Sequence, residues 1–255
     1  MSNKLIYTTL FLIMILNIGN SFQNICKRSL NRTFASKSKK LHYKNINGYE
    51  PKSDNQQNYI NLLNDDRIKL IIANGPAGTG KTLLACQTAI KKLIDRDISK
   101  IVITRPVVPV EEDIGFLPGT INKKMDPWTR PIMDIFSDFQ FKNDQKSVEI
   151  SPLGFMRGRT FKDSVIIADE MQNCTPNQML MLLTRLGDDS KLVITGDLKQ
   201  CDKDDSGLQD LLNKLRLYYD NENNMAKDGI AIINFEAKDV QRSPLVSKIL
   251  DIYGS

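Results

Sequence analysis

The chain has 255 residues, 41% of them hydrophobic and 25% charged, enough for one domain with a sizeable core. Its formal charge of +5 is unevenly spread: no Asp or Glu precedes Glu50, whereas Lys4, Lys27, Arg28, Arg32, Lys37, Lys39, Lys40 and Lys44 all do. The remainder carries 27 basic against 30 acidic residues, so net charge gives no support for a nucleic-acid partner. The only histidine, His42, lies in the basic leader, which excludes a His-based triad or His-ligated metal from the rest of the chain.

The leader has two parts. LIYTTLFLIMIL, residues 5–16, is an apolar run behind Lys4, followed by the small residues Gly19 and Ser21, the anatomy of a secretory signal over residues 1–21 and too short to span a membrane. Residues 22–49 are basic, Ser-containing and free of acidic residues, in the manner of a transit peptide. Together they predict delivery to a plastid or apicoplast through the endomembrane system and no membrane span in the mature protein. An uncleaved anchor with a basic linker, or a mitochondrial presequence, are the competing readings. Cys26, Cys86, Cys174 and Cys201 form no CxxC pair, which argues for a reducing compartment and against both a disulfide framework and a zinc site.

From residue 50 onward, strand and helix signals alternate. A short amphipathic helix is predicted over 55–66, a strand at IKLIIAN (68–74) and a helix at TLLACQTAIKKLI (82–94). Strand KIVITR (100–105) leads into a loop punctuated by Pro and Gly (106–120), then a helix around Trp128 to Phe136. SVEI (147–150), VIIAD (165–169), KLVIT (191–195) and IAIINF (230–235) are strand candidates. Helices are expected at 177–186, with Thr175 as N-cap and Pro176 at the first position, at 207–219 and at 244–253. Residues 219–228 read as a polar loop. This alternation predicts an α/β fold, a mainly parallel sheet with helices on both faces.

GPAGTGKT, residues 75–82, matches GxxxxGK[ST] between a strand and a helix, the setting a phosphate loop requires. Gly75, Pro76, Ala77, Gly78, Thr79 and Gly80 would present backbone N–H groups to phosphate oxygens, Lys81 would reach the β- and γ-phosphates, and Thr82 would ligate Mg²⁺. Given that loop, the apolar strand ending in Asp169 is the expected magnesium-holding element. Glu170 can then accept a proton from the water attacking the γ-phosphate, which favours hydrolysis over transfer to a small acceptor. At the tip of another strand, TGDLKQ places Asp197 and Gln200 where they can sense that phosphate. Arg105 stands at the same sheet edge, while Arg157 and Arg159 alternate on one side of an extended segment, either contacting nucleic-acid phosphate or pairing with acids of the body. Arg242 precedes a Pro-started helix, from which it can reach a neighbouring subunit or pair locally.

In order along the chain, NQQNY, GPAGTGKT, ITRPVVP, IGFLPG with DPWTRP, PLGFMRGRTF, ADEMQN, TPNQM, LLTRLG, ITGDLKQ, SGLQDLL and VQRSPLV resemble the PhoH-like family. These are P-loop ATPases with a RecA-like core related to superfamily 1 helicases. The resemblance runs from about Asn55 to Tyr253. It implies ATP as ligand with Mg²⁺, Gln56 against adenine, Asp169 and Glu170 as the magnesium and hydrolysis pair, and Gly196, Asp197 and Gln200 as a coupling motif. It also implies homo-oligomeric rings, single-stranded RNA as a partner and Arg242 as an arginine finger. Two features depart from the family pattern: the leader itself, and Ala168 and Met171 where Leu and Ala are usual; neither removes a functional group. Two functions follow as expectations, an ATPase acting on RNA or a regulatory ATP-binding module with little turnover. A small-molecule kinase, the reading from another class, leaves TGDLKQ without a purpose.

Overall fold

The computed structural model describes residues 48–106, 121–139, 147–201 and 205–241, with positions 245, 248 and 252 further on; for 121–129 it describes the backbone alone. The leader up to residue 47, His42, Cys26, most of the 106–120 loop and Arg242 lie outside these residues.

In chain order the elements are α1 (Asp54–Asn64), β1 (Leu70–Asn74), α2 (Lys81–Asp95), β2 (Lys100–Thr104), α3 (Ile121–Asp138), β3 (Val148–Ile150), β4 (Ser164–Ala168), α4 (Pro176–Leu183), β5 (Lys191–Gly196), α5 (Gly207–Tyr218), α6 (Glu222–Lys227) and β6 (Ile230–Asn234). Single 3₁₀ turns cover Leu153–Met156, Met171–Asn173, Leu198–Gln200 and Ala237–Asp239. All six strands are parallel, in the order β3-β2-β4-β5-β1-β6. The continuous apolar runs account for this: Ile71, Ile72, Val102, Ile103, Ile166, Ile167, Val193 and Ile194 are each at 0% exposure, as strands covered on both faces require. Each such side chain contributes about 1.5–3 kcal/mol on burial.

On one face of the sheet, Met179, Leu182, Leu208, Leu212 and Leu215 of α4 and α5 close a core over Ile72, Ile166 and Ile194. Thr175 caps α4 as the sequence predicts, in a reciprocal capping box with Gln178 and with Pro176 at the first turn. The helix ends at Leu183, earlier than predicted, because the Thr184 hydroxyl donates back to the carbonyls of Leu180 and Met181. Two other expectations are corrected. Residues 222–227 form the short helix α6 within the predicted loop, capped by the Asn221 side chain and anchored by buried Met225. Residues 153–156 form a tight turn, with Gly158 at φ 77°, so Arg157 and Arg159 do not lie along one extended segment. Positions 245, 248 and 252 are helical; the rest of the predicted closing helix lies outside the described residues.

Candidate nucleotide site at the carboxyl edge of the sheet

In a parallel sheet all strands deliver their carboxyl ends to one edge, which brings residues far apart in sequence together. β1 delivers Gly75 to Thr82. Gly75 has φ 146°, and a Cβ there would stand 2.5 Å from the Phe235 carbonyl oxygen, so only glycine fits. Gly78 and Gly80 both have φ 83°, curling the loop into α2, whose first turn has no side-chain cap. The Gly75 amide donates to the Gly196 carbonyl at 3.1 Å, pinning the loop to the tip of β5.

Lys81 Nζ donates to the carbonyls of Gly75 (2.6 Å) and Pro76 (2.8 Å). Burial pushes its ammonium pKa down, and the carboxylates of Glu170, Asp197 and Asp169 oppose that shift. The cation is thus held inside the loop by neutral acceptors, with three acids nearby.

Asp169 is the hub. Its Oδ1 accepts from the hydroxyls of Thr82 and Thr195, each at 2.6 Å, and its Oδ2 lies 4.0 Å from Arg105 Nη1. Three strand tips therefore meet on one buried carboxylate. A hydroxyl and a hard anionic oxygen side by side suit Mg²⁺, with the remaining coordination positions left for water and phosphate. Among the described residues no group of three or more His, Cys, Asp or Glu forms a metal site by itself.

Glu170 adopts a left-handed conformation, φ 54° and ψ 41°, unusual for a side chain of its size. Its Oε2 accepts from Gln172 Nε2 at 2.7 Å. Gln172 is 2% exposed, and its other amide atom, Oε1, accepts the Asp197 backbone N–H at 3.2 Å. One side chain thus bridges the acid after β4 to the tip of β5. Sequence reasoning assigns Gln172 no role, since a lone Gln in a turn carries no periodic signal. Asp197 Oδ1 accepts from the Lys199 amide, and exposed Gln200 closes the turn by donating its amide to the Asp197 carbonyl.

Gln56 is buried, donating from Nε2 to the Thr79 carbonyl and accepting at Oε1 from the Lys52 amide. It lines a cleft of about 520 Å³ together with Tyr49, Lys52, Gly78, Gly80, Lys81, Thr82 and Glu170. Tyr49 is fixed there by two hydrogen bonds with Gln87 and by an edge contact with Phe139. Ala77 and Gln241 also line the cleft, and Gln241 donates its amide to the Gly78 carbonyl.

Two predicted nucleic-acid residues stand apart. Arg159 is paired with Glu149 and lies 4.6 Å over the Phe161 ring, and together with Lys100 it holds the Glu149 carboxyl below its usual range. Arg157 is exposed beyond the 3₁₀ turn.

A six-stranded parallel sheet with a phosphate loop after β1 and an acid pair after β4 defines a P-loop nucleoside triphosphatase of the RecA-like type. The large terminase of a thermophilic bacteriophage, solved in complex with ADP, shares this fold at a TM-score of 0.50 and 13% identity, over 78% of this chain and 49% of that one. More specifically, the family described as PhoH-like protein matches residues 49–254, and the chain belongs to that family. The PhoH-like protein of Bacillus subtilis is 41% identical over 211 residues, 79% of this chain and 63% of its own length. Protein PhoH of Escherichia coli is 37% identical over 213 residues, 79% of this chain and 57% of its own. The chain therefore spans about three fifths of the length of these relatives.

Proposed function

We propose that the protein hydrolyses ATP in a Mg²⁺-dependent reaction and couples this to single-stranded RNA. The observation that carries the reading is the convergence of Thr82, Thr195 and Arg105 on Asp169, with Glu170 next in the chain. When bound, Mg²⁺ neutralises charge on the phosphates. Thr82 and Asp169 would hold it, Lys81 would turn from its loop carbonyls toward the phosphate oxygens, and Gln56 and Tyr49 would orient the base. Glu170 takes the proton of the attacking water. Gln172 links that acid to Asp197, so a change at the γ-phosphate has a route to the tip of β5. A homo-oligomer in which Arg242 serves a neighbouring site would supply motor-like coupling and completes the reading. An organelle, a plastid or apicoplast, is the proposed location.

The test is steady-state ATP hydrolysis by the full chain with and without a single-stranded RNA oligonucleotide, alongside Glu170→Gln. Turnover that depends on Glu170 and rises several-fold with RNA is expected. ATP binding with no turnover, or turnover indifferent to RNA, would replace this reading with a nucleotide-controlled module acting on a protein partner.

A further inference from the structure

The segment Gly154–Phe155–Met156–Arg157–Gly158 takes no part in the nucleotide site. Leu153 and Met156 are 3% and 0% exposed and pin the turn to the core, yet Phe155 between them is 60% exposed. Arg157 is exposed, and among the described residues no hydrogen bond or ion pair engages its guanidinium. A Cβ added to Gly154 or Gly158 would meet nothing within 4 Å, so the backbone on either side is open. A rigid turn thus displays one aromatic face and one uncommitted cation, whereas the nearby Arg159 and Phe161 are used up on each other and on Glu149.

We infer that Phe155 and Arg157 form a platform for single-stranded nucleic acid, the ring stacking on an unpaired base and the guanidinium taking an adjacent phosphate. Every unpaired base offers a π-face to an aromatic side chain, while a duplex hides those faces. A ring exposed beside an uncommitted cation matches the two features a nucleotide presents, a π-face and an adjacent phosphate. Its position fits as well. The turn follows β3, so it lies at the same edge of the sheet as the phosphate loop, and the strand order puts it four strand spacings, roughly 19 Å, from β1. The Ser151 amide donates to the Ile103 carbonyl at 2.9 Å, and Arg105, two residues on, approaches Asp169. Platform and magnesium-holding acid are therefore joined through β2. This inference rests on the RNA-coupled reading above and names where the strand would lie.

The experiment uses the full chain and a U-rich RNA oligonucleotide carrying one 2-aminopurine, whose fluorescence falls on stacking. Moderate salt weakens purely electrostatic binding by the basic leader. Phe155→Ala should lose the quenching and weaken binding about 5- to 150-fold, the range for one stacked base. Phe155→Trp should retain both, which separates lost stacking from lost folding. Arg157→Ala should flatten the slope of log affinity against log salt by about one. If the wild-type chain binds and quenches but Phe155→Ala matches it, the platform is wrong while the RNA-coupled reading stands. If the wild-type chain neither binds the oligonucleotide nor responds to it in ATP turnover, both fall.

Discussion

Replacing Gln172 by Met tests whether this side chain holds the hydrolytic acid in place. The substitution keeps volume and burial but removes both polar contacts. Glu170 Oε2 loses a charge-assisted donor at 2.7 Å, worth about 1.5–3 kcal/mol, and the buried Asp197 N–H loses its acceptor, which costs about 1–3 kcal/mol. The second loss falls on the folded state, so urea denaturation should report a destabilisation of about 1–3 kcal/mol. The first frees the carboxylate of a half-buried residue whose own backbone is strained at φ 54°. At 1.4 kcal/mol per tenfold in rate, kcat for ATP should fall roughly 10- to 100-fold. KM should move little, because Gln172 does not line the nucleotide cleft. Gln172→Glu sharpens the test: it keeps an acceptor for Asp197 but sets a second carboxylate against Glu170, so kcat should fall while part of the stability returns. A Gln172→Met variant that is destabilised as expected but keeps wild-type kcat would refute the positioning role.

Gly75→Ala should abolish nucleotide binding measured by calorimetry, since its methyl group would be driven against the Phe235 carbonyl, and in a backbone region that alanine avoids. Lys191, 6% exposed, donates to the carbonyls of Leu62, Leu63 and Asp65 at the end of α1, at the sheet edge away from the site. Lys191→Met should therefore lower stability by about 1–3 kcal/mol in urea denaturation, because the buried Leu63 carbonyl loses its donor while those of Leu62 and Asp65 keep backbone N–H partners, leaving ATP affinity unchanged in the folded fraction. Arg67, hydrogen-bonded beside Asp65, holds that carboxyl down at about 2, so the pair's contribution is present above the ordinary value of 3.8 and disappears as pH falls through about 2. In Arg67→Ala the Asp65 carboxyl carbon, followed by NMR, should titrate higher than in the wild type but still below 3.8, because the backbone N–H of residue 67 goes on donating to it. Finally, Arg242→Ala and Glu170→Gln chains, each inactive alone, should regain turnover on mixing if Arg242 serves a neighbouring site; a mixture as inactive as its parts would place the arginine's role within its own chain.

The central strands were legible because they are continuous apolar runs with β-branched residues, and the phosphate loop because its glycines have no other reason to cluster there. What escaped was relational. Nothing in SVEI or IAIINF says that they take opposite edges of the sheet; that follows from crossover connections whose helices choose a face. The polar stretch 219–228 hid α6 because one apolar anchor, Met225, shows no periodicity, although Asn221 was available as a cap signal. The alternating arginines misled because Gly158 breaks the extended geometry that alternation assumes, leaving one arginine paired and the other displayed. Gln172 escaped because its importance depends on Glu170 turning left-handed and on β5 ending alongside, neither of which composition reveals.

The strand order also dictates when the chain can work during synthesis. β1 carries the phosphate loop, yet its two neighbours are β5 and β6, with Leu70 aligned to Leu192 on one side and Ile230 on the other. An emerging chain with α1, β1 and α2 already made has nowhere to pair that strand until β5, far along the chain, appears. Such distant pairing is slow, and it leaves an apolar strand exposed in the interval. Nucleotide is therefore poorly placed as an early template for folding: the loop that would grip it is anchored at Gly75 by the Gly196 carbonyl and packs there against Phe235, both of which arrive late. A truncated product ending before β5 would hold the whole phosphate-loop motif but leave β1 without either of its strand neighbours, so it is expected to bind nucleotide far more weakly than the finished chain.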